Sequence, residues 1–419
     1  MAISPGRIVG IVVGSVAILG IGVYGPAMLL GPLPAAAVTV ASSESTAPAT
    51  TAIPLPAVGQ SAVAVLDDAG APTTVALTGD GTSVPIGGAA KLVTVLTVLD
   101  SLPLPAGEPG PAITIGPEDY TGYLQYRDED SRVLQVSPGE TWSQRDVVRA
   151  ILLASSNNHA DTLARWAFGS VDRYVDAANA WLAEEGYAGT HVADATGLSG
   201  DDVGTAEELT RLVAAAVADP GVGDLFVPTA GGRTDERRVP DVVGHLSDLG
   251  VRTVTRSYTD QAALTYAFTA QVSDDAGNAV RLVSAMLLVP DYETLDPAVG
   301  AVLDAMRQAA APVSLITAGE VFATVETAWG DRADVVASTS REGSGWAAAA
   351  GAPAVDVTSF TTAPAGREIG RVTVSTGAGE IASPLELSGA ISDPGPIWRL
   401  ANPFAIVGAY LAQQESSGA

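Results

Sequence analysis

Strands at both ends of a helical stretch fix the architecture of this chain. Residues 61–66 (SAVAVL) and 73–77 (TTVAL) are strand-forming runs joined by Asp67-Asp68-Ala69-Gly70, a hairpin signal. Strand patterns return only at 252–255, 262–272 and 280–289, the last two joined by Asp274-Asp275-Ala276-Gly277-Asn278. Between them the period is helical. An apolar helix is expected from Lys91 to Leu102, and Ser143 caps a second whose inner face carries Val147, Val148, Ile151 and Leu152. Further helices are expected over 170–185 and 205–219, the latter opened by Thr205 and Glu208 as a capping box. One sheet whose halves are separated by a helical insert satisfies this order, which makes the main domain α+β.

The flanks differ in composition. After a linking helix at 297–310, short alternating runs such as 321–325, 355–359, 372–375 and 385–387, separated by Gly, Pro and Asp, read as a small C-terminal β-sandwich or barrel. The tail at 397–412 is apolar but short and carries Arg399 and Asn402, which favours a packing or interfacial helix over a second span. At the other end, Arg7 precedes an uncharged run from Ile8 to Leu30, long enough to cross a hydrocarbon core of about 30 Å. Residues 38–56 are mostly Ala, Ser, Thr and Pro and read as a stalk. The expected plan is a cytoplasmic stub (1–7), a transmembrane signal anchor (8–30), a linker (31–56), the main domain (57–311), a β-rich domain (312–396) and a short helix with tail (397–419). The bulk then lies outside a cell membrane crossed once. Ala35-Ala36-Ala37 offers a cleavage site, so secretion after signal removal is the alternative.

Charge and residue counts exclude several classes. With 21 Lys and Arg against 47 Asp and Glu, the formal net charge is −26, which argues against a nucleic-acid surface. There is no cysteine, and the three histidines, His159, His191 and His245, are scattered, so neither thiolate chemistry nor a metal cage is expected, and no cofactor is implied.

Four short patterns then stand in order. PIGGAAKLVTVL (85–96) places Lys91 at the mouth of an apolar helix; AILLASSNNHADTLARWA (150–167) carries Ser155-Ser156-Asn157 inside a helical stretch; DATGLSGDDVGTAEELTRLV (194–213) and YTDQAALTYAFTA (258–270) follow. Over residues 61–289 this order resembles the low-molecular-weight penicillin-binding proteins, the D-alanyl-D-alanine carboxypeptidases, and the β domain behind it matches that family's plan. The resemblance implies a β-lactamase/transpeptidase-like fold for 57–311 and an extracytoplasmic role in peptidoglycan metabolism. It also implies a site built from a nucleophilic Ser three residues before a Lys, a Ser-x-Asn triplet, and Lys-Thr-Gly on a strand. One helical turn places Ser and Lys on the same face, so that the amine activates the hydroxyl.

This chain departs from that pattern twice. Position 88, where the resemblance places the nucleophile, is Gly, which has nothing to attack a carbonyl with. The third triplet becomes Thr255-Arg256-Ser257, with its cation one residue out of place and so turned to the other face of the strand. Arg252 shares the parity of Arg256 and does not substitute unless a bulge intervenes. The remnant catalytic set is Lys91, Ser155 and Asn157, and the degenerate substrate-binding set is Thr255, Arg256 and Ser257. Of the remaining hydroxyls, Ser83, Ser155 and Ser257, Ser155 is the best placed to form a residual pair with Lys91. The plainer expectation is a Lys91 amine hydrogen-bonded to Ser155 or Asn157.

His159 is expected to face outward or pack on the insert. The charged runs 127–130 and 235–238 are expected to be solvated, and Trp142, Trp166 and Trp181 to anchor core or half-core positions. The function expected is a catalytically inactive carboxypeptidase homologue that binds muramyl peptide or acts as a scaffold, with a peptidoglycan stem peptide or a cell-wall protein as partner. The alternatives are an active serine carboxypeptidase with a relocated nucleophile, and an interaction module working through the C-terminal β domain.

Overall fold

The computed structural model describes residues 5–41, 52–226, 237–347 and 352–417. The chain forms two compact units: Thr50–Ala311, and the two ends together, Met1–Ala49 with Pro312–Ala419.

In the larger unit the early hairpin, β1 (Gln60–Leu66) and β2 (Pro72–Thr78), joins three late strands, β3 (Val251–Thr259), β4 (Ala263–Ser273) and β5 (Ala279–Val289), in the antiparallel order β2-β1-β5-β4-β3. The closing pair is β1 with β5, where Ala64 lies opposite Val283 and the Ser284 hydroxyl donates to the Ala62 carbonyl. The helical insert between them comprises α1 (Ala90–Ser101), α2 (Pro117–Asp128), α3 (Gln144–Ala154), α4 (Asn157–Phe168), α5 (Val171–Glu184) and α6 (Ala206–Ala218). Its apolar side chains and Ala62, Ala64, Val283, Ala285 and Leu287 of the sheet form one core. The last helix, α7 (Tyr292–Ala310), packs on β4 and β5.

Helix starts follow the capping signals. The hydroxyls of Ser143, Ser170 and Thr205 accept from the N–H groups of Asp146, Arg173 and Glu208. The capping box at Thr205 is only half formed, because the Glu208 carboxylate accepts from the Gly189 N–H and the Thr190 hydroxyl instead, tying the helix to the loop before it. Helix α1 is buried from Ala90 to Leu99 on every side, as its composition demands.

Ser155 corrects the sequence reading. It is not inside a helix: α3 ends at Ala154, Ser155 takes a left-handed conformation with φ 52°, and α4 starts at Asn157. The triplet is a corner between two helices, which is how Ser155 and Asn157 come to face one cleft.

The smaller unit has a six-stranded sheet in the order Ala37–Val40, Val321–Glu326, Arg332–Ala337, Gly379–Leu387, Glu368–Thr376, Ala354–Val357, with a second pair formed by Pro312–Ile316 and Arg341–Ser344. The expected linker over 31–56 is therefore divided. Ala37–Val40 is an edge strand, pairing Ala37 with Glu326 through Val40 with Ala323, because Val-Thr-Val is a strand-forming run within an otherwise stalk-like composition. Within that linker, residues 42 to 51 lie outside the described residues.

The tail forms two helices, Gly395–Ala401 and Pro403–Ser417; Ile406 packs with Met28 and Leu33, and Arg399 donates to the Gly31 carbonyl. One N-terminal helical run, Ile11–Leu30, is long and apolar enough to cross a membrane by length and composition.

The added edge strand carries a prediction. Of two shortened proteins, one starting at Leu33 and one at Pro54, the second loses the strand and exposes the Val321–Glu326 edge. Its C-terminal unit should unfold on the order of 2 kcal/mol more easily, seen as a separate lower transition in calorimetry. Coincident transitions in the two proteins would show that the strand adds nothing.

Candidate active-site cleft

The mouth of α1 is a single 3-10 turn, Gly87–Ala89, that enters the helix at Ala90. A cleft of about 270 Å³ opens beside it, lined by Gly88 and Lys91 of the helix mouth, Ser155 and Asn157 of the corner, residues 130–132, residues 196–198 and residues 257–259. The fold therefore brings Lys91, Ser155, Asn157 and Ser257 together, and leaves Thr255 and Arg256 out of the lining.

Lys91 is 5% exposed. Its ammonium donates to the Thr196 carbonyl at 2.5 Å, and Ser155 and Asn157 are not its hydrogen-bond partners. Burial pushes the amine pKa down to about 8, against the fields of Asp194, Asp161 and Asp202, while Arg132 adds to the lowering. An amine so tuned is suited to deprotonate a neighbouring hydroxyl, and the helix mouth offers none.

The loop that supplies the Thr196 carbonyl is built on two aspartates. Asp194 accepts from the N–H groups of Thr196, Gly197 and Ser199 and from the Thr196 hydroxyl. Asp202 accepts from the N–H groups of Ala193 and Asp194. Burial and then the Asp194 charge push the Asp202 carboxyl up to about 7. In the sequence, the signal for this loop is the Asp-x-Thr-Gly spacing at 194–197, which favours side-chain-to-backbone turns and carries no catalytic pattern of its own.

Gly88 is a steric requirement. No left-handed backbone calls for glycine there, but a Cβ at this position would lie 2.9 Å from Ser257 Cβ and 3.1 Å from Ser257 Oγ. The Gly88 N–H donates to that same hydroxyl at 2.9 Å. The side chain of Ser257 thus stands where a nucleophile would begin and occupies the backbone donor that an oxyanion would use. Ser155 Oγ is 3.7 Å from the same Cβ point.

On β3 the register shifts between Thr253 and Thr255, a bulge at Val254. Cross-strand partners show the faces: Arg252, Thr255 and Ser257 lie opposite Thr269, Ala267 and Thr265, whereas Arg256 lies opposite Tyr266. The Arg256 guanidinium reaches the Tyr292 hydroxyl of α7 and the Val242 carbonyl, on the far side from the helix mouth. The bulge returns Arg252 to the cleft-side face, yet its guanidinium is held by Asp241 and the Leu225 carbonyl.

Other expected residues fall elsewhere. Ser83 donates to the Gly189 carbonyl outside the cleft. His159 does not face outward: it is fully buried, 4.4 Å from the Trp142 ring, and burial drives its pKa down to about 3, so it is neutral. Trp142 is core, and Trp166 and Trp181 are half-buried against it. Of the charged runs, Arg127 and Asp128 pair at the surface, Asp130 lines the cleft, Arg237 stacks on Trp142 and pairs with Glu140, and residues 235–236 lie outside the described residues.

The larger unit has the penicillin-binding-protein fold. Penicillin binding protein 6B from Escherichia coli aligns with a TM-score of 0.55 at 15% identity over 81% of this chain and 98% of its own. Penicillin binding protein 5 from Haemophilus influenzae gives 0.53 at 15% over 81% and 99%, and a D-alanyl-D-alanine carboxypeptidase from Mycobacterium tuberculosis gives 0.51 at 23% over 62% and 94%. Within that fold, residues 55–225 match the family model described as D-alanyl-D-alanine carboxypeptidase. A D-alanyl-D-alanine endopeptidase of Pseudomonas aeruginosa is 34% identical over 133 residues, 32% of this chain; the match spans 40% of that relative's length.

Asp202 sets a pH dependence. Its folded pKa of about 7 lies above the ordinary carboxylate value, so between pH 4 and pH 7 the folded chain holds a proton that the unfolded chain has lost. Asp202 by itself therefore lowers stability with rising pH across that window, by up to about 1.4 kcal/mol per unit, while His159, whose pKa burial pushes down to about 3, raises stability with rising pH below its ordinary value. Urea titrations from pH 4 to 8 should therefore show stability rising with pH more steeply in Asp202→Asn than in the native protein, where the two groups oppose each other; equal slopes would dismiss the assignment.

Proposed function

We propose that this chain is a non-acylating member of the carboxypeptidase lineage: an extracytoplasmic protein, tethered by its N-terminal apolar helix, that binds peptidoglycan stem peptides without cleaving them. The observation that carries this reading is the contact between Gly88 and Ser257. The reacting hydroxyl is replaced by glycine, and the space and the N–H donor beside it are taken by another side chain. The retained cleft, with Lys91, Ser155 and Asn157 still lining it, supports ligand binding as the remaining use. The family match supports peptidoglycan as the source of the ligand.

The test is covalent labelling. The purified protein should form no stable adduct with a fluorescent penicillin and release no D-Ala from diacetyl-Lys-D-Ala-D-Ala. An adduct that disappears in Ser155→Ala would overturn the proposal in favour of a relocated nucleophile.

Restoring the hydroxyl should fail for a structural reason. Gly88→Ser should remain unlabelled and lose roughly 1–3 kcal/mol through overpacking against Ser257. Adding Ser257→Gly should recover part of that loss in a thermal melt. A Gly88→Ser protein that is fully stable and acylated would refute the steric account.

A further inference from the structure

Arg132 combines three properties that its place in a charged surface loop does not explain. First, its position is fixed by the site: its carbonyl accepts from the Asn157 N–H at 2.9 Å, so the loop is fastened to the helix corner. Second, its half-buried side chain lines the cleft and donates Nη1 to the Arg256 carbonyl of β3 at 2.8 Å. Third, that carbonyl is neutral. Arg145, Arg165, Arg237 and Arg252 each pair with an Asp or Glu, but Arg132 makes no ion pair among the described residues. In a chain with 47 acidic residues, a half-buried guanidinium left without a carboxylate is an imbalance the fold had ample means to correct.

Its surroundings leave the imbalance in place. Burial, and then the nearby Arg256 guanidinium, act against its charge, and the Tyr292 side chain offsets them only in part. Asp130, which also lines the cleft, stands exposed at the loop tip and does not bond it. A guanidinium carries five N–H donors in a planar fork suited to a carboxylate. Lys91, Ser155, Ser257 and Thr259 line the same cleft.

We propose that Arg132 is the residue with which this cleft recognises the free carboxylate of a peptide C-terminus, replacing from the helical insert the cation that β3 turns away. This rests on the reading of the cleft as a peptide-binding site, and the experiment separates the two.

Full-length protein in detergent is titrated calorimetrically with diacetyl-Lys-D-Ala-D-Ala and with its C-terminal amide. The acid should bind roughly tenfold or more tighter than the amide, the discrimination expected of one charge-assisted contact. Arg132→Gln should abolish that preference and Arg132→Lys should keep part of it, while Asp130→Asn should strengthen the acid by removing a competing carboxylate. Equal affinity of the native protein for acid and amide overturns the role of Arg132 and leaves the binding reading standing. A preference that survives in Arg132→Gln, or an equal loss for both ligands, marks Arg132 as a structural bridge and also overturns it. No heat with either ligand up to about 5 mM, where a usable site would show, overturns both proposals.

Discussion

A buried ammonium held by a backbone carbonyl organises this site. Lys91 enters the core at the mouth of α1, and the cost of burying its charge without a partner is several kcal/mol. The partner is Thr196, and one helical turn further on the Thr94 hydroxyl takes the adjacent carbonyl of Ala195. Two residues on one face of α1 thus clasp two consecutive peptide units. The loop between Asp194 and Asp202 can present them because the Asp194 carboxylate accepts from the N–H groups of Thr196, Gly197 and Ser199, and Asp202 Oδ1 accepts from those of Ala193 and Asp194. The closeness of this docking is visible at Gly197, whose Cβ would fall 1.9 Å from the Gly87 carbonyl oxygen. A lysine without a nucleophile beside it therefore has a structural task, and removing it would release the loop that forms one wall of the cleft.

The opposite wall, β3, is held by a different contact with a different consequence. Because Ser257 accepts from the Gly88 N–H, strand and helix mouth lie closer than a side chain at 88 permits. Glycine at 88 and serine at 257 are thus two halves of one packing arrangement: the strand closes on the helix mouth because no side chain stands at 88. Strand parity extends this account. After the bulge at Val254, Ser257 faces the helix and Arg256 faces α7, so the residue that seals the site and the cation that leaves it are set by one register.

How much of this was legible in the sequence depends on the range of the interaction. The order of strands and helices, the caps at Ser143 and Thr205, the burial of α1 and the residues at 88 and 256 are local or periodic signals and could be read directly. The strand at 37–40 could not, because four residues in an Ala, Ser, Thr and Pro context become a strand only through an edge almost 300 residues away. The corner at Ser155 is marked in the sequence by the polar run from Ser155 to His159, but the Ser-x-Asn pattern gave that run another reading, and the apolar period resumes beyond it. The Thr196 carbonyl and the Arg132 guanidinium were missed because one is backbone, which carries no residue identity, and the other follows a charged run whose ordinary fate is solvation.

The overall charge gives these two cations their weight. At −26 the protein repels an anionic peptide from a distance, but in physiological salt that repulsion fades beyond about 8 Å. What decides binding is the potential inside the cleft, where low-dielectric walls strengthen nearby charges. There the fold has placed Lys91 and Arg132 against a single exposed lining carboxylate, Asp130. Lys91 is neutralised from behind by the fields of Asp194, Asp161 and Asp202, and its amine is engaged by a carbonyl. Among the described residues Arg132 hydrogen-bonds the neutral Arg256 carbonyl and pairs with no carboxylate, and its side chain lines the cleft. With glycine at position 88, the cleft has in this arrangement the electrostatic condition for holding a carboxylate and no side chain at that position with which to react.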